Sequence, residues 1–262
     1  MPFTAAHAAA ALPFRRSRLI PSALVAGTIA PDLIYFLRLG PRGGFGHSLA
    51  GAFLFSLPAA LVFLWMLHRF VKRPVVAVMP VAIQQRLMPW LGPFRFGGLR
   101  RFALIAISCL IGIATHIAWD SFTHPGLWLY KHWAWLSEPI TVPILGPIQH
   151  CRFLQHVSTV AGLGAIAVWL ISWYRRAQAS EERLEPAYTP SQKVQRILAV
   201  TAIAVFAGIL RGWHAVGPPE NLNLFRAFAG KMVVTTVAIL WWQVVVIGSD
   251  RRFRYPDGTK AI

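Results

Sequence analysis

The sequence predicts an all-α fold, a polytopic transmembrane helical bundle of about six spans. Three observations lead to this prediction. Hydrophobic residues make up 56% of the 262-residue chain and charged residues only 13%, a composition that is too apolar for an ordinary soluble domain. Apolar stretches long enough to cross a bilayer recur along the chain. Segments rich in arginine separate these stretches, as is typical of loops that set membrane topology.

The strong positive charge fits the same prediction. Lys and Arg number 26 against 9 acidic residues, and the formal net charge is +17. In a soluble protein this excess would suggest nucleic-acid binding, but no nucleic-acid motif or basic-aromatic surface pattern accompanies it. We therefore expect the lipid bilayer, and no nucleic acid, as a partner. Cys109 and Cys151 form neither a metal-type pair nor a disulfide framework.

The N-terminal elements are short or interrupted. Residues 4–14 predict a helix that cannot cross a bilayer, because a helix rises only about 1.5 Å per residue. Residues 20–38 are apolar and long enough for a first span, although Ala30-Pro31-Asp32 interrupts them. The remaining spans are predicted at residues 47–68, 102–120, 156–174, 197–213 and 231–248. Residues 1–250 are therefore expected to form a single transmembrane helical domain, and residues 251–262 a basic cytoplasmic tail.

The loops define a consistent topology. Residues 69–101 contain several basic residues and no acid, which is a strong cytoplasmic signal. With both termini cytoplasmic, the link at residues 39–46 and the loops at 121–155 and 214–230 fall on the outer face. This topology assigns one set of polar side chains to the outer face: Asp32, His47, His116, Asp120, His124, His132, His150 and His156.

His7 can be placed in two ways. If the N-terminus is cytoplasmic, His7 lies on the opposite side from this set, and the charges of Arg15, Arg16 and Arg18 favour that arrangement. If residues 4–14 form a half-length helix that dips in from outside, His7 joins the set. The three arginines would then lie in a buried turn, which is costly, yet the residue pattern favours this second arrangement.

Histidine and carboxylate side chains at helix ends point to a metal site. His116 and Asp120 are four residues apart and lie on one face of a helix. Such side chains from different helices are the usual ligands of a catalytic divalent metal, zinc being the first candidate, and the ion would lower the pKa of a water molecule. Asp120 is either a ligand or a group that orients an imidazole. The expected ligands are Asp32, His47, His116 and Asp120.

Two further histidines, His124 and His156, are candidate catalytic residues that orient ligands or transfer protons. Other enzyme classes do not fit the residues. The helix around His116 superficially resembles the motif of lipid phosphatases, but Cys109 stands where an arginine should clamp the phosphoryl oxygens. The neighbourhoods of Ser48 and Ser158 lack the Gly-x-Ser-x-Gly pattern that an intramembrane serine protease would need.

Five motifs occur together: Met1-Pro2-Phe3-Thr4 followed by His7, Ala30-Pro31-Asp32, Gly46-His47-Ser48, Thr115-His116 with Asp120-Ser121 and Thr123-His124-Pro125, and Gln155-His156-Val157-Ser158-Thr159. Over roughly residues 1–250, this combination resembles an uncharacterised bacterial integral-membrane family described as a domain of unknown function. That family is similar, more distantly, to bacterial membrane-bound metal-dependent hydrolases. By this resemblance the metal ligands would be His7, Asp32, His47, His116 and Asp120. Leu33 stands where those hydrolases have a second acid, so we expect one metal ion.

Our main hypothesis is a multi-pass protein of the bacterial inner membrane with a metal-dependent hydrolase site at its outer face. The resemblance implies a phosphoester or lipid-like substrate. Three other interpretations stay open from the residues. A transporter or proton-relay protein would place the same His/Asp set along a path, and a bis-His haem protein would use two of the imidazoles as axial ligands. A non-enzymatic membrane scaffold would use the set as a structural network.

Overall fold

A computed structural model of the chain describes residues 4–40, 44–143, 146–182 and 188–255. The fold is mostly helical, which confirms the predicted class. An N-terminal 3-10 helix, Thr4–Arg16, precedes the α-helices of the described residues. These are α1 (Pro21–Ile29), α2 (Leu33–Arg38), α3 (Leu49–Val78), α4 (Val81–Leu87), α5 (Leu99–Thr123), α6 (Trp128–His132), α7 (His150–Arg176), α8 (Pro190–Val216) and α9 (Leu222–Gly248). Two antiparallel strands, β1 (Pro139–Val142) and β2 (Gly146–Gln149), pair with Ile140 opposite Ile148.

Within the described residues, five helices are long and apolar enough to cross a membrane. They are α3, the stretch Leu99–His132 that contains α5 and α6, α7, α8 and α9. This finding indicates a multi-pass membrane protein. It matches five of the predicted spans, but the predicted span at residues 20–38 folds differently. There α1 and α2 are separated by a 3-10 turn, Ala30–Asp32, because Pro31 has no N–H for a helical hydrogen bond and its ring crowds the preceding turn.

Several helices extend further than the apolar pattern predicted. Helix α3 continues through its basic end to Val78 and contains two π-helical turns, Ala52–Ser56 and Leu67–Val71. Helix α8 begins at Pro190 because Thr189 and Gln192 form a capping box. The stretch at 121–155, predicted as a loop, contains α6, the β1–β2 hairpin and the first turns of α7. Apolar content marks where a helix can cross a bilayer, whereas caps and polar turns decide where it ends.

The chain divides into two compact units. The first comprises Met1–Leu33, Gly44–Val62 and Phe96–Arg175, and the second comprises Ile34–Gly43, Phe63–Arg95 and Arg176–Ile262. In the second unit α8 packs against α9, and a small cluster of Ala77, Tyr188 and Phe253 is buried. The single domain over residues 1–250 and the separate tail stay predictions, and residues 256–262 of that tail lie outside the described part.

The first unit is organised around the contact between α1 and α5. A Cβ atom at Gly112 would overlap the Leu24 carbonyl oxygen, so only glycine allows this close approach of two backbones. The backbone N–H of Ile20 donates to Ser108 Oγ at 3.0 Å, which places the start of α1 beside the middle of α5. Helix α1 then runs alongside α5 towards His116. The last turn of α1 and the last turns of α5 therefore lie together.

The N-terminal 3-10 helix packs on α1 and contacts α5. His7 is buried beside His116, as in the second of the two predicted arrangements. Arg15, Arg16 and Arg18 are not covered by other residues of the protein; that their turn is buried in the membrane stays a prediction. Arg15 and Arg16 end the 3-10 helix and Arg18 lies in the turn before α1, so all three side chains lie on the surface of the first unit.

Candidate metal centre

Four polar side chains from three separate segments of the first unit converge. Asp32 ends the 3-10 turn between α1 and α2, and His47 ends another 3-10 turn, Phe45–His47, just before α3. His116 and Asp120 lie one turn apart on α5. Asp32 and His116 are fully buried, and the Asp120 and His47 side chains are only 3% and 5% exposed. One ligand atom from each residue lies within 4.8 Å of the other three.

The separations between these atoms are narrow in range. His47 Nε2 lies 3.1 Å from His116 Nε2, 3.1 Å from Asp120 Oδ2 and 3.4 Å from Asp32 Oδ1. His116 Nε2 lies 3.3 Å from Asp120 Oδ2 and 3.6 Å from Asp32 Oδ1. Five of the six distances among these four ligand atoms (the edges of a tetrahedron) therefore lie between 3.1 and 3.6 Å.

These edges have the size of a metal coordination shell. In a tetrahedral site with metal–ligand bonds of 2.0–2.1 Å, neighbouring ligand atoms lie about 3.3–3.4 Å apart. The donor set of two imidazole nitrogens and two carboxylate oxygens is also one that zinc accepts. The residues present therefore fit a single divalent cation in both geometry and chemistry.

The tautomer of His116 is fixed by α1. His116 Nδ1 lies 2.8 Å from the Thr28 carbonyl oxygen, and because a carbonyl can only accept, Nδ1 must carry the proton and donate it. In the neutral ring Nε2 then carries a lone pair, and this atom faces His47, Asp32 and Asp120. A hydrogen bond from the second ring nitrogen to a carbonyl is the usual support of a metal-binding histidine.

Asp32 is oriented by the N-terminal segment. Thr4 Oγ1 donates to Asp32 Oδ2 at 2.6 Å, so one carboxylate oxygen is held by a hydroxyl. The other oxygen, Oδ1, faces the two imidazoles. It is buried, and the His47 and His116 Nε2 atoms lie 3.4 and 3.6 Å from it. A buried carboxylate needs a compensating positive charge, which a bound cation, or a protonated His47 in its absence, would supply.

His47 is positioned by close backbone packing. A Cβ atom at Gly46 would overlap the Pro31 carbonyl oxygen, so the 3-10 turn that carries His47 can lie against the turn that carries Asp32. Ser56 Oγ, in the π-helical turn of α3, donates to the Gly46 carbonyl oxygen at 3.0 Å. Burial lowers the pKa of His47, but its contacts with Asp120 and Asp32 outweigh burial and raise the pKa to about 9. Without a cation, His47 is therefore protonated at neutral pH.

Two more histidines lie on the far side of Asp120. Its Oδ2 belongs to the four-atom set, whereas its Oδ1 lies 3.3 Å from His7 Nε2 and 3.4 Å from His124 Nδ1. The His7 ring stacks on the His116 ring with 3.9 Å between centroids. Burial lowers the pKa of His7 despite the opposing contact with Asp120, so His7 is neutral at physiological pH. The His124 side chain, 17% exposed, is the more accessible of the two.

The other histidines of the predicted outer set are elsewhere. His156 is exposed on α7, and within the described residues no hydrogen bond or ion pair joins it to the cluster. His132 Nδ1 lies 2.7 Å from the Trp128 carbonyl oxygen, and His150 Nδ1 lies 3.0 Å from the Glu138 carbonyl oxygen. His68 lies in the second unit.

Sequence reasoning did not identify several supporting groups. Thr4 stands in the N-terminal motif, which was a usable signal, but its partner could not be read from the chain. The carbonyl of Thr28 and the hydroxyl of Ser56 carry no motif of their own. Gly46 directly precedes His47, so the Gly-His-Ser motif did contain the residue that permits the close approach to Pro31.

Comparison with known proteins identifies a family. A family model described as Domain of unknown function (DUF4184) matches residues 1–249. Because the match covers nearly the whole chain, the chain belongs to this family, which confirms the coarser part of the sequence resemblance. The match provides no link to hydrolases. No curated protein and no solved structure matches the chain.

Proposed function

We propose that this member of the DUF4184 family binds one divalent metal ion, preferably zinc, through Asp32, His47, His116 and Asp120. The observation that carries the proposal is the set of edges between 3.1 and 3.6 Å joining their ligand atoms. Two carboxylates and two neutral imidazoles would balance the charge of a divalent ion. The charge balance supports a cation in this buried cluster, because buried carboxylates need compensation.

We further propose that the site is that of a hydrolase acting on a phosphoester or lipid-like substrate at the outer face of the bacterial inner membrane. A bound divalent metal ion supplies Lewis-acid activation of a water molecule near neutral pH. The resemblance of the motifs to membrane-bound metal-dependent hydrolases supports this choice, and so do the long apolar helices, since a membrane enzyme can receive a lipid substrate from the bilayer. A transport path is less well supported, because it would distribute the polar residues over several depths, whereas these four converge.

We assign proton transfer to His124 and the positioning of the Asp120 carboxylate to His7. Both lie within 3.4 Å of Asp120 Oδ1, the oxygen that points away from the four-atom set. His124 can exchange a proton next to the carboxylate while Asp120 Oδ2 serves as a ligand. His124, the more accessible, would face the substrate, and His7 would hold the Asp120 carboxylate in place. Among the described residues, the exposed His156 has no hydrogen bond or ion pair with the cluster that would support the same role.

Metal content tests the first proposal. The purified full chain should contain about one zinc ion per molecule by inductively coupled plasma mass spectrometry, and His116→Ala should retain less than about a tenth of it. His132→Ala is the matched control, because His132 is exposed and its contacts are with Trp128. Equal metal content in wild type and His116→Ala, or no divalent metal in the wild type, would overturn the proposal.

Activity tests the second proposal separately. The metal-loaded protein in detergent should hydrolyse at least one member of a panel of phosphomonoesters, phosphodiesters and phospholipids. His124→Ala should keep its metal and lose about a hundredfold or more in kcat, the typical contribution of a general acid or base. Loss of metal together with activity in this variant would instead make His124 a ligand. No turnover of any panel member by the metal-loaded protein would count against the hydrolase assignment but leave the metal site standing.

A further inference from the structure

A second polar cluster lies in the other compact unit, at the end of α3. Arg69, Lys72 and Arg73 are spaced by three and four residues, so their side chains share one face of the helix. We call this set the basic cluster. Residues 69–101 contain no acidic residue at all. The cluster cannot therefore find a counter-ion in its own stretch of the chain.

The cations of the basic cluster are partly enclosed. Arg69 Nη1 and Arg73 Nε are buried and have no hydrogen-bond partner in the described part of the chain. Within that part, no carboxylate forms an ion pair with Arg69, Lys72 or Arg73. Basic residues that only set topology are normally solvated. Buried guanidinium N–H groups without acceptors are costly, and their cost is relieved by an anion.

Aromatic and backbone groups build a frame around the cluster. The Tyr255 ring centroid lies 5.0 Å from the Arg73 guanidinium carbon and 5.7 Å from Lys72 Nζ, both cation–π distances. Tyr255 Oη donates to the His68 carbonyl oxygen at 2.9 Å, which fixes the ring. Burial raises the pKa of Tyr255 to about 12, so the hydroxyl keeps its proton and remains a donor. Tyr255 therefore provides no negative charge to balance the three cations.

Lys72 is held on the other side of the cluster. Its ammonium donates to the carbonyl oxygens of Trp90 and Gly92. These neutral acceptors anchor the side chain but leave its charge uncompensated. An ammonium held in place next to two guanidinium groups favours a compact anion with several acceptor oxygens, and a phosphate group has this form.

We propose that the basic cluster binds the phosphate of an anionic lipid headgroup. The lipid source is favoured over a soluble phosphate because α3 is one of the helices able to cross a membrane, and the cluster lies near the C-terminal end of that helix. Basic pockets at the ends of membrane helices are where anionic headgroups bind. The site lies in the second compact unit and does not depend on the metal proposal.

The test uses the delipidated full chain in neutral detergent. Phosphatidylglycerol should raise the unfolding temperature and remain bound in native mass spectrometry, whereas phosphatidylcholine should do neither. Arg69→Gln combined with Arg73→Gln should weaken phosphatidylglycerol binding by roughly tenfold or more, since each basic side chain near a headgroup contributes about fivefold. Arg175→Gln is the matched control, because Arg175 also ends a membrane helix but is exposed, and it should change binding less than about twofold.

Two further measurements distinguish a lipid ligand from a soluble one and test the role of Arg73. Inorganic phosphate should stabilise the protein less than phosphatidylglycerol. An equal effect of phosphate alone would assign the site to a soluble ligand and overturn the lipid proposal. If the double variant does not fold, judged by its gel-filtration profile and its thermal unfolding curve, Arg73→Lys replaces it. This variant keeps the charge but loses the guanidinium fork, and unchanged binding in it would overturn the role given to Arg73. No response of the wild type to phosphatidylglycerol would overturn the proposal outright.

Discussion

The contact between α1 and α5 makes the metal centre sensitive to a single methyl group. Gly112→Ala would add a Cβ atom that overlaps the Leu24 carbonyl oxygen and lies 2.8 Å from the Thr28 nitrogen. Both obstacles are backbone atoms, so α1 must move away from α5 by roughly 1 Å to restore ordinary packing. The bond between His116 Nδ1 and the Thr28 carbonyl oxygen, now 2.8 Å, would then exceed the length of a hydrogen bond.

The expected change in the free energy of unfolding is the sum of opposing effects. Replacing glycine by alanine in a helix stabilises it by about 1 kcal/mol. Overpacking against backbone costs about 1–3 kcal/mol, and a buried imidazole N–H without its acceptor costs a further 1–3 kcal/mol or so. Gly112→Ala should therefore lower the free energy of unfolding by about 1–5 kcal/mol. Loss of the group that orients His116 should also weaken metal binding by about 10–100-fold.

Two alanine variants serve as controls for this prediction. Gly164 lies on α7, and no atom lies within 4 Å of the position that a Cβ atom would take there, so Gly164→Ala should be slightly stabilising and leave metal affinity unchanged. Gly208 on α8 packs against the Met232 carbonyl oxygen of α9, and both residues belong to the second unit, so Gly208→Ala should destabilise the protein without weakening metal binding. Thermal unfolding in detergent and chelator competition provide the two measurements. If Gly112→Ala binds metal as tightly as Gly164→Ala, the proposed coupling between helix packing and His116 is wrong.

Three further predictions concern the site itself. Thr4→Val removes the donor to Asp32 Oδ2 and should weaken metal binding about tenfold in chelator competition. Thr4→Ser keeps the hydroxyl and should not weaken it. An equal loss of metal affinity in both variants would refute the hydrogen-bond argument. Asp32→Asn keeps the shape but removes a charge, and metal affinity should fall about a hundredfold or more, with retention of full affinity as the contrary result. Because the pKa of His47 is raised to about 9, the metal must displace a proton at pH 7, and metal affinity should rise by about tenfold per unit from pH 7 to 9 and then level off. Calorimetry in buffers of different protonation enthalpy would detect the released proton, and a pH-independent affinity would contradict the assignment.

The helices and the candidate ligands could be predicted because both depend on local signals. Apolar runs identify helices that can cross a bilayer, whatever their partners. An unpaired carboxylate such as Asp32 in an apolar stretch is rare enough to suggest a site without any structure. The spacing of His116 and Asp120 gives a shared helix face directly. These inferences need no knowledge of which segments meet.

The support of the site could not be predicted, because it depends on contacts between distant segments. The Thr28 carbonyl meets His116 across 88 positions of sequence, and every residue has a carbonyl, so no residue type identifies the one that is used. The Asp32 and His47 turns meet because Gly46 lies against Pro31. A glycine in the sequence indicates conformational freedom or close packing, but it does not indicate which other segment of backbone packs against it.

The position of His7 illustrates how a charge rule and a residue pattern can disagree. The arginines after residue 14 favour a cytoplasmic N-terminus, because burying their charges in the membrane would cost free energy. In the structure, Arg15 and Arg16 end the 3-10 helix, Arg18 follows it, and all three are exposed on the surface of the first unit. His7 can then stack on His116 and Thr4 can reach Asp32. The N-terminal segment supplies a ring and a hydroxyl to the cluster, and these two contacts place it against α1 and α5, as the residue pattern predicts and the charge rule does not.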